Sequence, residues 1–263
     1  RRRFVTAAVP LRIIILTQND VFFLPRALDI LLRRLPGTAE VVGAVVLAVS
    51  PFGKKRSFTQ RVLDTWSIFG TRFFLHYALR YLWARARSQD VNAVFRRHDI
   101  NILEASGSVN DKAFIEKIEE LKPDVLVSLS ANEIFRDKII SVAPLGIINL
   151  HTSLLPLNRG LMPSFWVLAN GEKETGVSVF QVDDGIDSGP ILAQTRIALG
   201  DISQWDLIRA TKLLGMEAVV EALEGLRKGT TRPDPNLEHE ATYNRFPTRA
   251  DVRKFRKRGA RFF

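Results

Sequence analysis

The chain predicts an α/β fold, built on a doubly wound and mostly parallel sheet, and three observations predict it. Leu11–Leu16 (LRIIIL) is a continuous β-branched run, the pattern of a strand buried on both faces. Strand-like and helix-like stretches then alternate as far as about residue 150, which is the order of βαβ units. The composition, 46% hydrophobic and 25% charged over 263 residues, suits one large core and neither a disordered nor a fibrous chain.

Taken in order, the strand at Leu11–Leu16 is followed by the polar turn Thr17–Asp20 and a helix with Pro25 in its first turn, reaching about Arg34. Glu40–Val49 reads as a second strand. Asn110-Asp111 caps a helix through Leu121. Val125–Leu129 is a third strand, with a helix from about Glu133 to Val142 after it, and Gly146–Leu150 is a fourth. His151–Pro163 is a Pro- and Gly-punctuated loop. A short helix at Ser164–Ala169, strands at Gly176–Val182 and Ile191–Ala198, and a long helix from about Ser203 to Leu226 complete the pattern. The expected division is a body of residues 1–231, with an inserted segment at about 53–98, and a basic C-terminal tail at 232–263.

Composition removes several classes of chemistry. Without cysteine there is no disulfide, thiol nucleophile or cysteine-ligated metal. The four histidines, His76, His98, His151 and His239, form no H-x-x-x-H pair, so no metal site is expected. No leader peptide and no membrane-spanning run is read, and a cytoplasmic location is expected. The net charge of +10 is uneven: residues 53–98 carry +8, and a second basic run extends from Arg253 to Arg261. Such bias points to an anionic partner.

The chemistry concentrates in Gly146–Pro156 (GIINLHTSLLP), in Arg159-Gly160 and in Asp183–Gly189 (DDGIDSG). Asn149 and His151 are two residues apart at the end of a strand, so both face the same way, at the carboxyl edge where open sheets bind ligands. Asp187 lies in a glycine-flanked turn that can return its carboxylate to His151. An amide, an imidazole and a carboxylate without a nucleophile suit direct acyl transfer between two bound substrates. Asn149 would stabilise the oxyanion, His151 would donate to it or shuttle a proton, and Asp187 would orient the ring and relay the proton.

The stretch Asn149-Leu-His151-Thr-Ser-Leu-Leu-Pro156, with Asp-Gly-Ile-Asp187-Ser-Gly-Pro downstream, resembles the hallmark of the folate-dependent formyltransferases. That superfamily includes the glycinamide ribonucleotide, methionyl-tRNA and sugar N-formyltransferases. The resemblance is strong from about Asp124 to Leu226 and looser over Leu11–Val49. It implies a Rossmann-like sheet, a catalytic trio of Asn149, His151 and Asp187, and 10-formyltetrahydrofolate as formyl donor. It further implies that Ser130, Ala131, Asn132, Glu133, Ile134 and Phe135, with Val182, Asp183 and Gly185, hold the folate largely through backbone groups. Asn132 reads equally as a helix N-cap. Ser153, Arg159 and Gly160 fall in the loop that lines the acceptor cleft in relatives; Arg159 reads equally as a solvated charge.

Within that resemblance the acceptor is expected to be a small primary amine. Thr17–Asp20 lacks the glycine-rich phosphate loop of the glycinamide ribonucleotide enzymes. Few residues follow the last long helix, too few for the C-terminal domain of the methionyl-tRNA enzymes, so no nucleic acid is expected. Met162–Trp166 and Asn170–Val177 look most like the sugar N-formyltransferases, which favours an amino sugar, nucleotide- or lipid-linked. A binding-only protein would need an altered trio, and all three residues are present.

The segment from about Phe58 to Arg87 belongs to none of this. Val62, Trp66, Phe69, Phe73 and Tyr77 recur at helical spacing among arginines, which predicts one or two amphipathic helices. They are expected to meet something apolar or anionic outside their own core, such as a membrane surface. Burial against Phe246, Phe255, Phe262 and Phe263 of the tail and a homodimer interface are the alternatives.

Overall fold

The computed structural model describes residues 9–47, 58–87, 90–105 and 107–263, the side chains of Phe58 and Arg61 excepted. Val49 and part of the 53–98 segment named above lie outside the described residues.

A six-stranded sheet carries the fold. β1 (Leu11–Gln18) lies between β2 (Ala39–Leu47) and β3 (Val125–Leu129), and β3 pairs with β4 (Ile147–His151), all in parallel. β6 (Glu174–Gln181) and β7 (Ile191–Ala198) extend the sheet beyond β4 as antiparallel strands. The unbroken apolar run of β1 has a direct cause. Ile13 and Ile15 enter a core shared with α1 (Leu24–Arg34), α4 (Val91–Arg97) and α8 (Gln204–Lys228), while Ile14 and Leu16 enter a second core with α5 (Lys112–Glu120). Helices on both faces leave no polar side for the strand to alternate toward.

Two expectations about helices change. The helix expected from Glu133 to Val142 is only the turn α6, Asp137–Ile140, and residues 131–136 are irregular. Glu133 turns its carboxylate toward the Ser108 hydroxyl and the Val109 N–H, 3.2 Å away, and Asn110 takes the Arg136 N–H at 2.8 Å. The preceding loop therefore draws this segment out of helix, and Asn132 does not stand at an N-cap position.

The inserted segment is a helical hairpin, α2 (Phe58–Phe69) and α3 (Thr71–Ala86), turned at Gly70. Its inner rings are covered by the end of the chain. Phe69 and Phe73 are buried with Phe165 of α7 (Pro163–Asn170), with Phe255 of α9 (Arg249–Lys257) and with Phe262. The self-burial alternative thus holds for these rings, while Trp66, Tyr81 and Trp83 stay exposed. The segment at 232–263, expected as a tail, is built into the body. Tyr243-Asn244, strand β8, pairs with Arg159-Gly160, strand β5, and Val252 and Phe255 sit in the aromatic core. No helix among the described residues is long and apolar enough to cross a membrane.

Candidate active site

At the carboxyl ends of β1, β3 and β4 opens a cleft of about 990 Å³. Asn149 and His151 reach it from the end of β4, where Asn149 stands opposite Ser128 of β3 and His151 opposite Ser178 of β6. Asp187 arrives from the turn between β6 and β7. Its backbone is left-handed, φ 49°, a conformation that aspartate tolerates better than most residues. The His151 Nδ1 and Asp187 Oδ2 atoms come within 3.6 Å.

Both side chains are held by backbone. The His151 Nε2–H donates to the Asn158 carbonyl oxygen at 2.8 Å, which leaves Nδ1 facing the carboxylate. The Gly160 N–H donates to Asp187 Oδ2 at 2.8 Å. Gly160 has φ 89°, and a Cβ there would stand 2.5 Å from the Asn244 carbonyl oxygen, so the β5–β8 contact needs glycine. Asn236 adds its side-chain amide to the carbonyls of Asp187 and Gly189, 2.9 Å each. Asn158 is itself a hub: its N–H reaches the Thr242 hydroxyl at 2.7 Å, and its amide meets Glu172 and Asn244.

One long wall of the cleft is the irregular segment Ser130, Ala131, Asn132, Glu133, Ile134 and Phe135, faced by Val182, Asp183 and Gly185. Every residue expected at the donor site lines the cleft. Two of the three acceptor-loop residues do not. Ser153 is fully buried, its hydroxyl donating to the Leu157 carbonyl at 2.8 Å. Arg159, also 0% exposed, is spent on the C-terminal segment: it pairs with Glu238, donates to the Tyr243 hydroxyl at 2.6 Å and to Asn236 Oδ1 at 2.8 Å. A guanidinium committed to that many partners inside the fold is an anchor, which corrects both readings of it as a cleft or surface charge. Gly160 does line the cleft.

Sequence reasoning missed the floor and the rim. Lys212 comes up from α8 beside Gln18 and donates to the Ser130 hydroxyl. Asp20 takes the N–H groups of Phe22 at 2.6 Å and of Phe23 and Leu24 at 3.3 Å, on the backbone that leads into α1. Burial raises the Asp20 pKa above the ordinary carboxylate value, against these hydrogen bonds and the charge of Lys212. Burial lowers the Lys212 pKa, and the Asp20 charge opposes it. A lysine in mid-helix carries no sequence signal of such a place. The rim is Tyr243, Asn244, Arg245 and Phe246. Their only signal was an aromatic and basic composition, which reads as a tail. Among the described residues no group of three His, Cys, Asp or Glu is placed to hold a metal ion.

An open α/β sheet whose carboxyl edge holds an amide, an imidazole and a carboxylate defines a class of ligand-binding fold with acid–base chemistry at a strand end. A family model described as formyl transferase matches residues 80–223. The chain belongs to the formyl transferase family. A methionyl-tRNA formyltransferase of Kosmotoga olearia is 34% identical over 163 residues, covering 62% of this chain and 52% of that protein. One from Thermodesulfovibrio yellowstonii is 38% identical over 136 residues, 51% of this chain and 44% of the relative. This chain thus spans about half the length of such curated relatives. Chain length therefore gives no argument about a further domain, and the expectation against a tRNA acceptor loses that support. Among solved structures, the N-formyltransferase of Helicobacter canadensis, in complex with folinic acid and dTDP-3-aminofucose, shares the fold with a TM-score of 0.57 at 17% identity, covering 89% of this chain and 70% of its own. A glycinamide ribonucleotide transformylase from Symbiobacterium toebii does so with a TM-score of 0.57 at 20% identity, covering 84% and 89%.

Proposed function

We propose that this chain transfers a formyl group from 10-formyltetrahydrofolate to the primary amine of a small acceptor, an amino sugar carried on a nucleotide or a lipid. The observation that carries the reading is the 3.6 Å approach of His151 to Asp187 in the cleft that Asn149 also lines. The acceptor amine attacks the formyl carbon, and a tetrahedral intermediate forms with its charge on the formyl oxygen. The Asn149 amide donates to that oxygen. The amine loses a proton to His151 Nδ1, the nitrogen left free by the bond to Asn158, and the neighbouring Asp187 carboxylate stabilises the resulting imidazolium. The proton then passes to the folate nitrogen as its bond to the formyl carbon breaks. The products are the formamide and tetrahydrofolate. The backbone of Ser130–Phe135 and the loop of Val182, Asp183 and Gly185 would hold the folate, and the segment Met162–Trp166 supports the amino-sugar choice through its resemblance to the sugar enzymes.

A second acceptor, the amine of a charged initiator tRNA, is favoured by one observation: the matched curated relatives named above are methionyl-tRNA formyltransferases. Tetrahydrofolate release, followed with the full chain and 10-formyltetrahydrofolate against a panel of amino-sugar nucleotides and methionyl-tRNA, separates the two. Turnover with an amino sugar and none with the tRNA is expected; faster turnover with the tRNA reverses the ranking, and release with neither overturns the formyl-transfer reading for amines of both kinds.

A further inference from the structure

The outer face of the α2–α3 hairpin has no role in the cleft. On α3, Arg72, Leu75, Leu79, Leu82 and Ala86 follow helical spacing and so share one side of the helix, opposite the buried Phe73 and Ala84. Leu75, Leu79 and Leu82 are 54%, 68% and 64% exposed, and Trp83 beside them is 57% exposed. On α2, Leu63 and Trp66 are exposed to 58% and 51%. Six large apolar side chains left in water on one helical hairpin are more than a monomer surface ordinarily carries in one place.

The charge of the hairpin and of the segment packed against it selects among occupants. Residues 58–87 hold five arginines against one aspartate, and residues 249–263 hold seven cations against one aspartate. These two segments together carry +10, equal to the net charge of the whole chain. The structure brings them into contact. Phe69 and Phe73 pack on Phe255 and Phe262, Arg256 donates to the Phe69 carbonyl at 2.5 Å, and Arg72 lies 5.5 Å from the Phe263 ring. Where the start of α3 meets the end of α9, a groove of about 500 Å³ has Arg72, Arg256 and Arg261 on its walls; Arg261 also pairs with the exposed Asp201 at 3.0 Å, and Arg72 is the first residue of the leucine stripe. A second copy would bring like charges together at such a face, whereas an anionic surface neutralises them.

We infer that the leucine stripe of α3, with the three-arginine groove and the exposed Arg253, Lys254 and Lys257 of α9, seats the protein on a bilayer bearing anionic phospholipids. The phosphates would meet the arginines of the groove, and Leu75, Leu79, Leu82 and Trp83 would enter the interfacial region without spanning it. The proposal does not depend on the formyl-transfer reading, and most of the hairpin precedes the stretch that the family model matches.

The test is co-sedimentation of the full chain with vesicles of phosphatidylcholine alone or of equal parts phosphatidylcholine and phosphatidylglycerol. Binding to the second at low salt, weakening as salt rises, is expected, with a blue shift of the intrinsic tryptophan fluorescence. The triple variant Leu75→Gln/Leu79→Gln/Leu82→Gln should partition at least about tenfold less, and Arg72→Gln/Arg261→Gln about tenfold less. Each overturning result is specific. One is an unbound wild-type chain with no blue shift, a measurement that needs no variant. Others are equal binding to the neutral vesicles, or a triple variant that binds like wild type. A dimer in light scattering that the triple variant abolishes would give the face to a second copy. A gel shift of uncharged tRNA that survives the triple variant, with vesicles left unbound, would give it to nucleic acid.

Discussion

Two regions each bring a basic side chain and a carboxylate together, under different conditions: the cleft wall, where His151 and Asp187 both line the cleft, and its floor, where Lys212 lines it and the neighbouring Asp20 does not. On the wall, His151 and Asp187 face each other at 3.6 Å, each tied to a backbone group and open to the cleft between them. On the floor, Asp20 and Lys212 are half-buried, and burial dominates both: it pushes the acid up and the amine down. The wall pair is fixed in place by partners that leave one face of each group free for a substrate. The floor pair spends its polar atoms on the backbone leading into α1 and on Ser130. What each group has left to offer decides its role.

The largest expected effect tests the wall. His151→Ala and Asp187→Asn should each lower formyl transfer by about 10²–10⁴-fold with melting temperature close to wild type. A near-normal rate with the true acceptor would make the pair structural and erase the contrast with the floor. Arg159→Met tests the opposite assignment beside it. Loss of the buried guanidinium that donates to Asn236 and Tyr243 should cost about 1–3 kcal/mol of stability in denaturant unfolding, through the hydrogen bonds it leaves unmade rather than through Glu238, which is exposed. If stability holds and only the acceptor KM rises, Arg159 is a substrate group after all.

The floor should respond in stability before chemistry. Lys212→Met leaves Asp20 without its nearby cation and should cost about 2 kcal/mol, most of it recovered when Asp20→Asn is added. A double variant no better than the single would show that the two groups do not act on each other. The smallest effect lies at the exposed rim, where Arg245 meets Asp251 at 2.8 Å. Burial works to raise the Asp251 pKa, but the hydrogen bonds from Arg245 and Thr248 outweigh it and hold the carboxyl down at about 2, against an ordinary 3.8. Its folded value is depressed, so its contribution is complete above pH 3.8 and lost as pH falls toward 2. Asp251→Asn should therefore cost about 1 kcal/mol or less near neutrality, where the pair is solvent-screened, and less still at pH 2, where about half of the carboxyl is protonated. Urea unfolding at the two pH values measures it; an equal difference at both would assign the loss to the helix cap rather than to charge.

The sequence by itself determined the strand–helix order, because a strand covered on both faces must be apolar throughout, as Leu11–Leu16 and Val125–Leu129 are. It also determined the meeting of His151 and Asp187. The two-residue repeat of a strand places Asn149 and His151 on one side, and a glycine-flanked turn returns Asp187. Folding decided what depends on distant partners. Ser153 and Arg159 have the composition of a cleft loop, yet Tyr243, Glu238 and Asn236, some eighty residues on, draw Arg159 inward. Glu133 has the propensity for a helix, yet Ser108 and Val109 hold it out of one. Lys212 looks like any lysine of α8 until the end of β3 puts Ser130 against it. The aromatic and basic residues after 231 read as a tail because only packing shows that Phe255 has Phe165 and Phe262 to stack on, 5.0 and 4.5 Å away. Periodicity is written locally and survives in a linear text; pairings across the chain are made by burial, which the linear text does not contain.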